Sequence, residues 1–146
     1  MDKRKTYFYC SLLLTLFAVI LLVSGSSLLT INLIRGSTIP LGTLTTWVGM
    51  ISLPLMIYWG VKELREPTSS LNKMLSRILK VVIIFGLFWG PISYLLAGNF
   101  SFSFSDKQTF QGGQAAMLWF WRVSYGIGIG AILTVIAYWF SLLFKK

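Results

Sequence analysis

Residues 115–144 read AAMLWFWRVSYGIGIGAILTVIAYWFSLLF, and Arg122 is the only charged side chain among them. A hydrocarbon core of about 30 Å is crossed by about 20 mainly apolar residues. As a helix, this run of about 30 residues reaches about 45 Å, so it spans with length to spare. Working outward, three more stretches meet the same requirement: 7–30, which contains SLLLTLFAVILLVSG, then 41–61 and 78–97. The first begins with Lys3, Arg4 and Lys5, as a signal peptide does, but its apolar run is longer than a signal peptide's. It is read as a retained helix.

Composition agrees. Apolar residues make up 55% of the 146-residue chain and charged residues 12%, about half the ~25% of a soluble domain. A water-soluble protein this small has too much surface for its volume to hide that much apolar side chain. The expected fold is a single all-α membrane domain, a four-transmembrane-helix bundle over 1–146. A short amphipathic cytoplasmic helix and a small external β-hairpin-like loop join its spans.

Orientation is read from Lys and Arg in the short flanks. Of the 13 basic residues, Lys3, Arg4, Lys5, Lys62, Arg65, Lys73, Arg77, Lys80, Lys145 and Lys146 fall on one side of a four-span arrangement. Arg35 and Lys107 fall on the other, and Arg122 at a membrane border. Both termini are therefore expected in the cytoplasm, with the protein in the cell inner membrane. The +9 charge is then a topology signal. It sits beside apolar spans that an anionic leaflet attracts, so no nucleic-acid partner is expected.

The connections differ in character. Arg35-Gly36-Ser37 reads as the turn of a short external loop. Glu66-Pro67 ends the second helix, because proline lacks an N–H and restrains the residue before it. Thr68, Ser69 and Ser70 are N-cap candidates. Leu71, Met74, Leu75, Ile78 and Leu79 then recur at helical spacing between Lys73, Arg77 and Lys80. Two readings fit: an amphipathic helix on the inner surface, or a longer third helix with a wet first turn. In the second external segment Phe100, Phe102 and Phe104 alternate with Ser101, Ser103 and Ser105. A period of two sets three rings on one face of an extended strand. That face either rests on the helix ends or meets a partner.

Within the spans, Gly86 and Gly90, and Gly126 and Gly130, form two GxxxG patches that let helices approach closely. They are expected to join spans three and four to each other, or to serve a homo-oligomer. Gly126, Gly128 and Gly130 are not a nucleotide loop, since no strand precedes them. Pro54 and Pro91 should bend their helices. Thr43, Thr45, Thr46 and Ser52 give span two a polar side. Arg122, next to Trp119 and Trp121, reads as an interfacial anchor in an aromatic belt, or as a ligand or partner contact.

The chain has no histidine, one cysteine and four acids, Asp2, Glu63, Glu66 and Asp106, all outside the spans. That removes a Ser–His–Asp relay, a dithiol pair and a His/Cys metal cage. It also removes the intramembrane carboxylate of a proton-coupled carrier, which separates the chain from small multidrug-resistance transporters. Glu63 and Glu66 are expected to pair with Lys62 or Arg65. No cofactor, metal or catalytic residue is expected. The functional expectation is a non-enzymatic accessory, immunity or exclusion factor. Its partners are the lipid bilayer and another membrane protein or a second copy, and its candidate contacts are Phe100, Phe102, Phe104 and Arg122. The competing expectation is a small oligomeric channel or lipid or solute transporter.

Overall fold

The structure is a computed structural model that describes residues 2–34, 39–101, 104 and 110–144. It contains four helices long and apolar enough to cross a membrane: α1 (Lys3–Val23), α2 (Leu41–Gly60), α4 (Ser70–Ala97) and α5 (Gly113–Leu143). A single turn, α3 (Lys62–Arg65), lies between α2 and α4. Inside lipid the backbone must satisfy its own hydrogen bonds, which is why apolar stretches of this length become helices.

Local chemistry sets the ends. The Asp2 side chain accepts from the Arg4 N–H and starts α1, a few residues before the expected start. Ser24 and Gly25 stop it, with Gly25 at φ 58°, and a 3-10 turn at Ser27–Thr30 follows. The single span expected over 7–30 is thus a helix plus a turn. Leu33 N–H to Ile39 O and Leu41 N–H to Ile31 O then close the α1–α2 connection. The turn expected at Arg35-Gly36-Ser37 lies outside the described residues. Among the Thr68, Ser69 and Ser70 candidates, Ser69 caps α4, its hydroxyl accepting from the Asn72 N–H at 3.1 Å. Gly98, in the left-handed region at φ 76°, closes its far end.

The amphipathic segment is not a separate element. It is the first turns of α4, an unbroken helix of 28 residues. There the helix shows three sides: Leu75 and Leu79 buried, Leu71, Met74 and Ile78 exposed and apolar, and Lys73, Arg77 and Lys80 exposed and basic. Pro54 and Pro91 also sit inside continuous helices.

Packing is not that of a symmetrical bundle. The helices α2, α4 and α5 touch one another, whereas α1 packs on α2 alone among the long helices. The four-helix bundle is therefore a three-helix core with α1 laid along one side. Ser11, Thr15 and Ala18 form the buried side of α1 and face Gly49 and Ser52, with Thr15 Oγ1 and Ser52 Oγ 3.0 Å apart. Small residues here let the two backbones approach closely. On α5, Phe120, Ser124, Ile127, Ala131, Thr134 and Tyr138 are buried. They alternate by four and three, the spacing of a coiled-coil seam.

The glycine patches divide differently from the sequence expectation. Gly86 and Gly90 face α2, not α5. A Cβ on Gly86 would lie 2.5 Å from the Met50 carbonyl oxygen, and one on Gly90 would lie 2.7 Å from the Trp47 ring. Gly130 does face α4, but against Val82, at 3.0 Å for an added Cβ. Trp89 meets Ser124 about two turns further along the same seam. Gly90 and Gly130 are therefore offset along the helices and do not meet. A Cβ on Gly126 would meet nothing within 4 Å, so Gly126 makes no helix contact within the described chain. We accordingly expect Gly86→Ala to cost about 1–3 kcal/mol through overpacking against α2. Gly126→Ala should equal or exceed the parent, since alanine favours helix by up to about 1 kcal/mol. Denaturant unfolding of the purified protein in micelles measures both.

Candidate functional site

The residues singled out from sequence gather at the end of the molecule away from Lys3, Lys62 and Lys73. Phe100 does not stand free there. Its ring stacks on Tyr94 with centroids 4.6 Å apart, and its carbonyl accepts from Thr43 Oγ1. Phe104 lies over Gly42, so close that a Cβ there would sit 2.6 Å from the ring. Phe110 meets Phe120 edge-on at 5.1 Å, and Gln111 N–H donates to Ala97 O. The described part of this segment thus folds onto the ends of α2, α4 and α5. Phe100 and Phe104 rest on the helix ends, one of the two placements that their alternation allowed. Phe102 lies outside the described residues, and no strand occurs among those described.

Arg122 occupies a different setting. It is exposed on α5, with its guanidinium carbon 5.1 Å from the centre of the Trp119 ring. Gln114, Met117, Leu118, Trp121 and Tyr125 flank it in a shallow cleft. It makes no hydrogen bond or ion pair among the described residues.

Its depth follows from a contact at the other end of α5. Tyr138 donates to the Glu63 carboxyl at 2.9 Å, and Glu63 lies in the charged turn with Lys62 and Arg65. An acid so placed marks the border of the aqueous phase. About 20 residues are needed to cross from there, which reaches Trp119. On a count that starts at Glu63, the Arg122 backbone falls about 5 Å inside the far edge. Side chains on a helix lean toward its N-terminus, and Trp119 lies that way. The guanidinium therefore turns outward toward the headgroups, as long basic side chains do near a membrane border.

The charged turn departs in part from expectation. Arg65 pairs with Glu66 at 3.3 Å. It also donates to Trp59 O at 3.3 Å, satisfying a carbonyl in the last turn of α2. Glu63 instead takes Tyr138 from a helix far along the chain. Sequence reading passed over Tyr138, although it continues the four-three spacing of the buried α5 residues. Two more links were missed: Trp89 Nε1 donates to Ser124 Oγ at 2.8 Å, and Trp47 Nε1 to Leu87 O at 3.1 Å. Nearer the basic end, Asn72 Nδ2 and Ser76 Oγ are buried and make no hydrogen bond within the described chain. The Thr-rich side of α2 is taken up in packing: Thr43 and Thr45 are buried, and Thr46 Oγ1 donates to Gly42 O at 2.8 Å.

The chain matches no protein-family model, no characterised protein and no solved structure. Among the described residues no group of three His, Cys, Asp or Glu is placed to hold a metal ion.

Removing the Tyr138 hydroxyl should therefore weaken the protein, while the far end tolerates change. Tyr138→Phe is expected to lose about 1.5 kcal/mol, the low end for a hydrogen bond to a charged group. Arg122→Gln should stay within about 0.5 kcal/mol of the parent, as surface substitutions do. Thermal unfolding in detergent separates the two.

Proposed function

We propose that this chain is a small multi-pass protein of a bacterial inner membrane, with both termini in the cytoplasm. It acts without catalysis, as an accessory, immunity or exclusion factor on a larger membrane protein. The observation that carries this reading is the one-sided packing of α1. Only its Ser11, Thr15 and Ala18 side is buried, and Leu13, Phe17 and Ile20 are left more than half exposed, at 66%, 58% and 63%. A spanning helix held on one face keeps its other faces for lipid or for another spanning helix. The concentration of basic residues at the end where both termini lie supports the orientation. The lack of histidine and the single cysteine support a role without chemistry.

The channel or transporter reading leaned on Pro54, Pro91 and the threonines of α2. Unwound helices at the bilayer midplane line substrate sites in many transporters. Here both prolines lie in unbroken helices, and the hydroxyls of Thr43, Thr46 and Ser52 are engaged by Phe100 O, Gly42 O and Thr15. That weighs toward the accessory reading.

Two measurements test the proposal together. Purified protein in liposomes should pass ions and small dyes no faster than protein-free liposomes. A photo-crosslinker replacing Phe17 in native membranes should give one dominant adduct, and one replacing Ser52, which is buried against α1, should give none beyond the chain itself. Flux above the protein-free level would reject the accessory reading in favour of the channel.

A further inference from the structure

We propose that the chain binds one phospholipid in the leaflet farther from its basic end. Its phosphate would sit on Arg122 and one acyl chain in the groove over Gly126. The argument starts from charge. On the count above the Arg122 backbone lies about 5 Å inside the hydrocarbon border, and its guanidinium reaches back to the headgroup level. The chain has four acids. Asp2, Glu63 and Glu66 are at the opposite end of the helices, Asp106 lies outside the described residues, and Arg122 pairs with no acid among the described residues. The anion that such a border does supply is the headgroup phosphate. A guanidinium binds phosphate oxygens through two parallel N–H bonds. Trp119, with its ring against the guanidinium, holds the side chain in the outward direction that this requires.

The apolar half of the site lies directly below. Gly126 follows Arg122 by one turn on the same face of α5, about 6 Å nearer the bilayer centre. It lines a shallow groove between α4 and α5 with Val82, Phe85, Val123 and Ile127. Every lining side chain is apolar, and the missing Gly126 side chain leaves open space where a Cβ meets nothing within 4 Å. Arg122 stands one turn above Gly126, cation above and bare apolar groove beneath, although its own cleft shares no lining residue with the groove. That is the order of phosphate and acyl chain in a lipid. A soluble anion has no use for the groove, and a packed helix from a second copy has no phosphate for Arg122.

The two halves are tested separately on the purified full-length chain. Native mass spectrometry in detergent follows binding of phosphatidylglycerol, with diacylglycerol as the same tails without phosphate. The parent should hold one phosphatidylglycerol at least tenfold more tightly than Arg122→Gln or Gly126→Leu. Diacylglycerol should bind parent and Arg122→Gln alike. Arg122 is exposed and Gly126 faces open space, so both variants should fold, which equal melting temperatures would verify. If either variant keeps parental affinity for phosphatidylglycerol, the joint site does not exist. Displacement of the lipid by inorganic phosphate at equal concentration would likewise overturn it, because the acyl groove would then contribute nothing.

Discussion

The structure depends first on how closely α2 and α4 approach at Gly86. There the Met50 carbonyl oxygen occupies the space that a Cβ would need. One turn along, the Trp47 ring covers Gly90 and its N–H reaches the Leu87 carbonyl. In lipid no hydrophobic force pulls helices together, because acyl chains are as apolar as leucine. Close van der Waals contact has to do it, and small residues make that contact possible. With α2 and α4 in place, α5 adds along the Val82 and Trp89 side of α4, and α1 adds along the Gly49 and Ser52 side of α2.

Three of the seams also carry a side-chain hydrogen bond. Thr15 with Ser52 joins α1 to α2, Trp47 with Leu87 joins α2 to α4, and Trp89 with Ser124 joins α4 to α5. Such bonds average only about 0.6 kcal/mol in measured membrane proteins, so their value is more in register than in strength. A hydroxyl or indole N–H without a partner in hydrocarbon is expensive, and sliding a helix by one residue would leave it so. At the border, Tyr138 with Glu63 ties α5 to α3.

Much of the fold was legible in the residues. The four spans and the cap before Asn72 were readable, because each rests on local chemistry or on composition. The second helix ends earlier than Glu66-Pro67, at Gly60, where Val61 turns extended, and Glu66-Pro67 ends only the turn α3. The expected bounds of the first span were less accurate. Ser24 and Gly25 look permissive in an apolar run, yet Gly25 at positive φ ends the helix. The amphipathic turns of α4 were readable as a pattern, but two structures satisfied that pattern equally. The candidate site was less legible. Phe100 and Phe104 carry an alternation that left open what their rings meet, and only the structure brings them to Tyr94 and Gly42. Arg122 was found by its charge, while its contact with the Trp119 ring needed the structure.

By itself the sequence determined that the chain forms spanning helices, how many there are and which ends are basic. These follow from the lengths of apolar runs and the placement of charge, since a backbone in lipid has few ways to satisfy its hydrogen bonds. Only the tertiary structure decided which face of each helix meets which neighbour. A helix that is apolar all round can rotate about its axis with little change in its exposure to lipid, so its pattern is nearly silent on rotation. The rotation is chosen by a few close contacts: Gly86 against Met50, Gly130 against Val82, Thr15 against Ser52. Those contacts turn Gly86 inward to α2 and leave Gly126 open below Arg122. Two identical GxxxG spacings in one chain thereby acquire opposite roles.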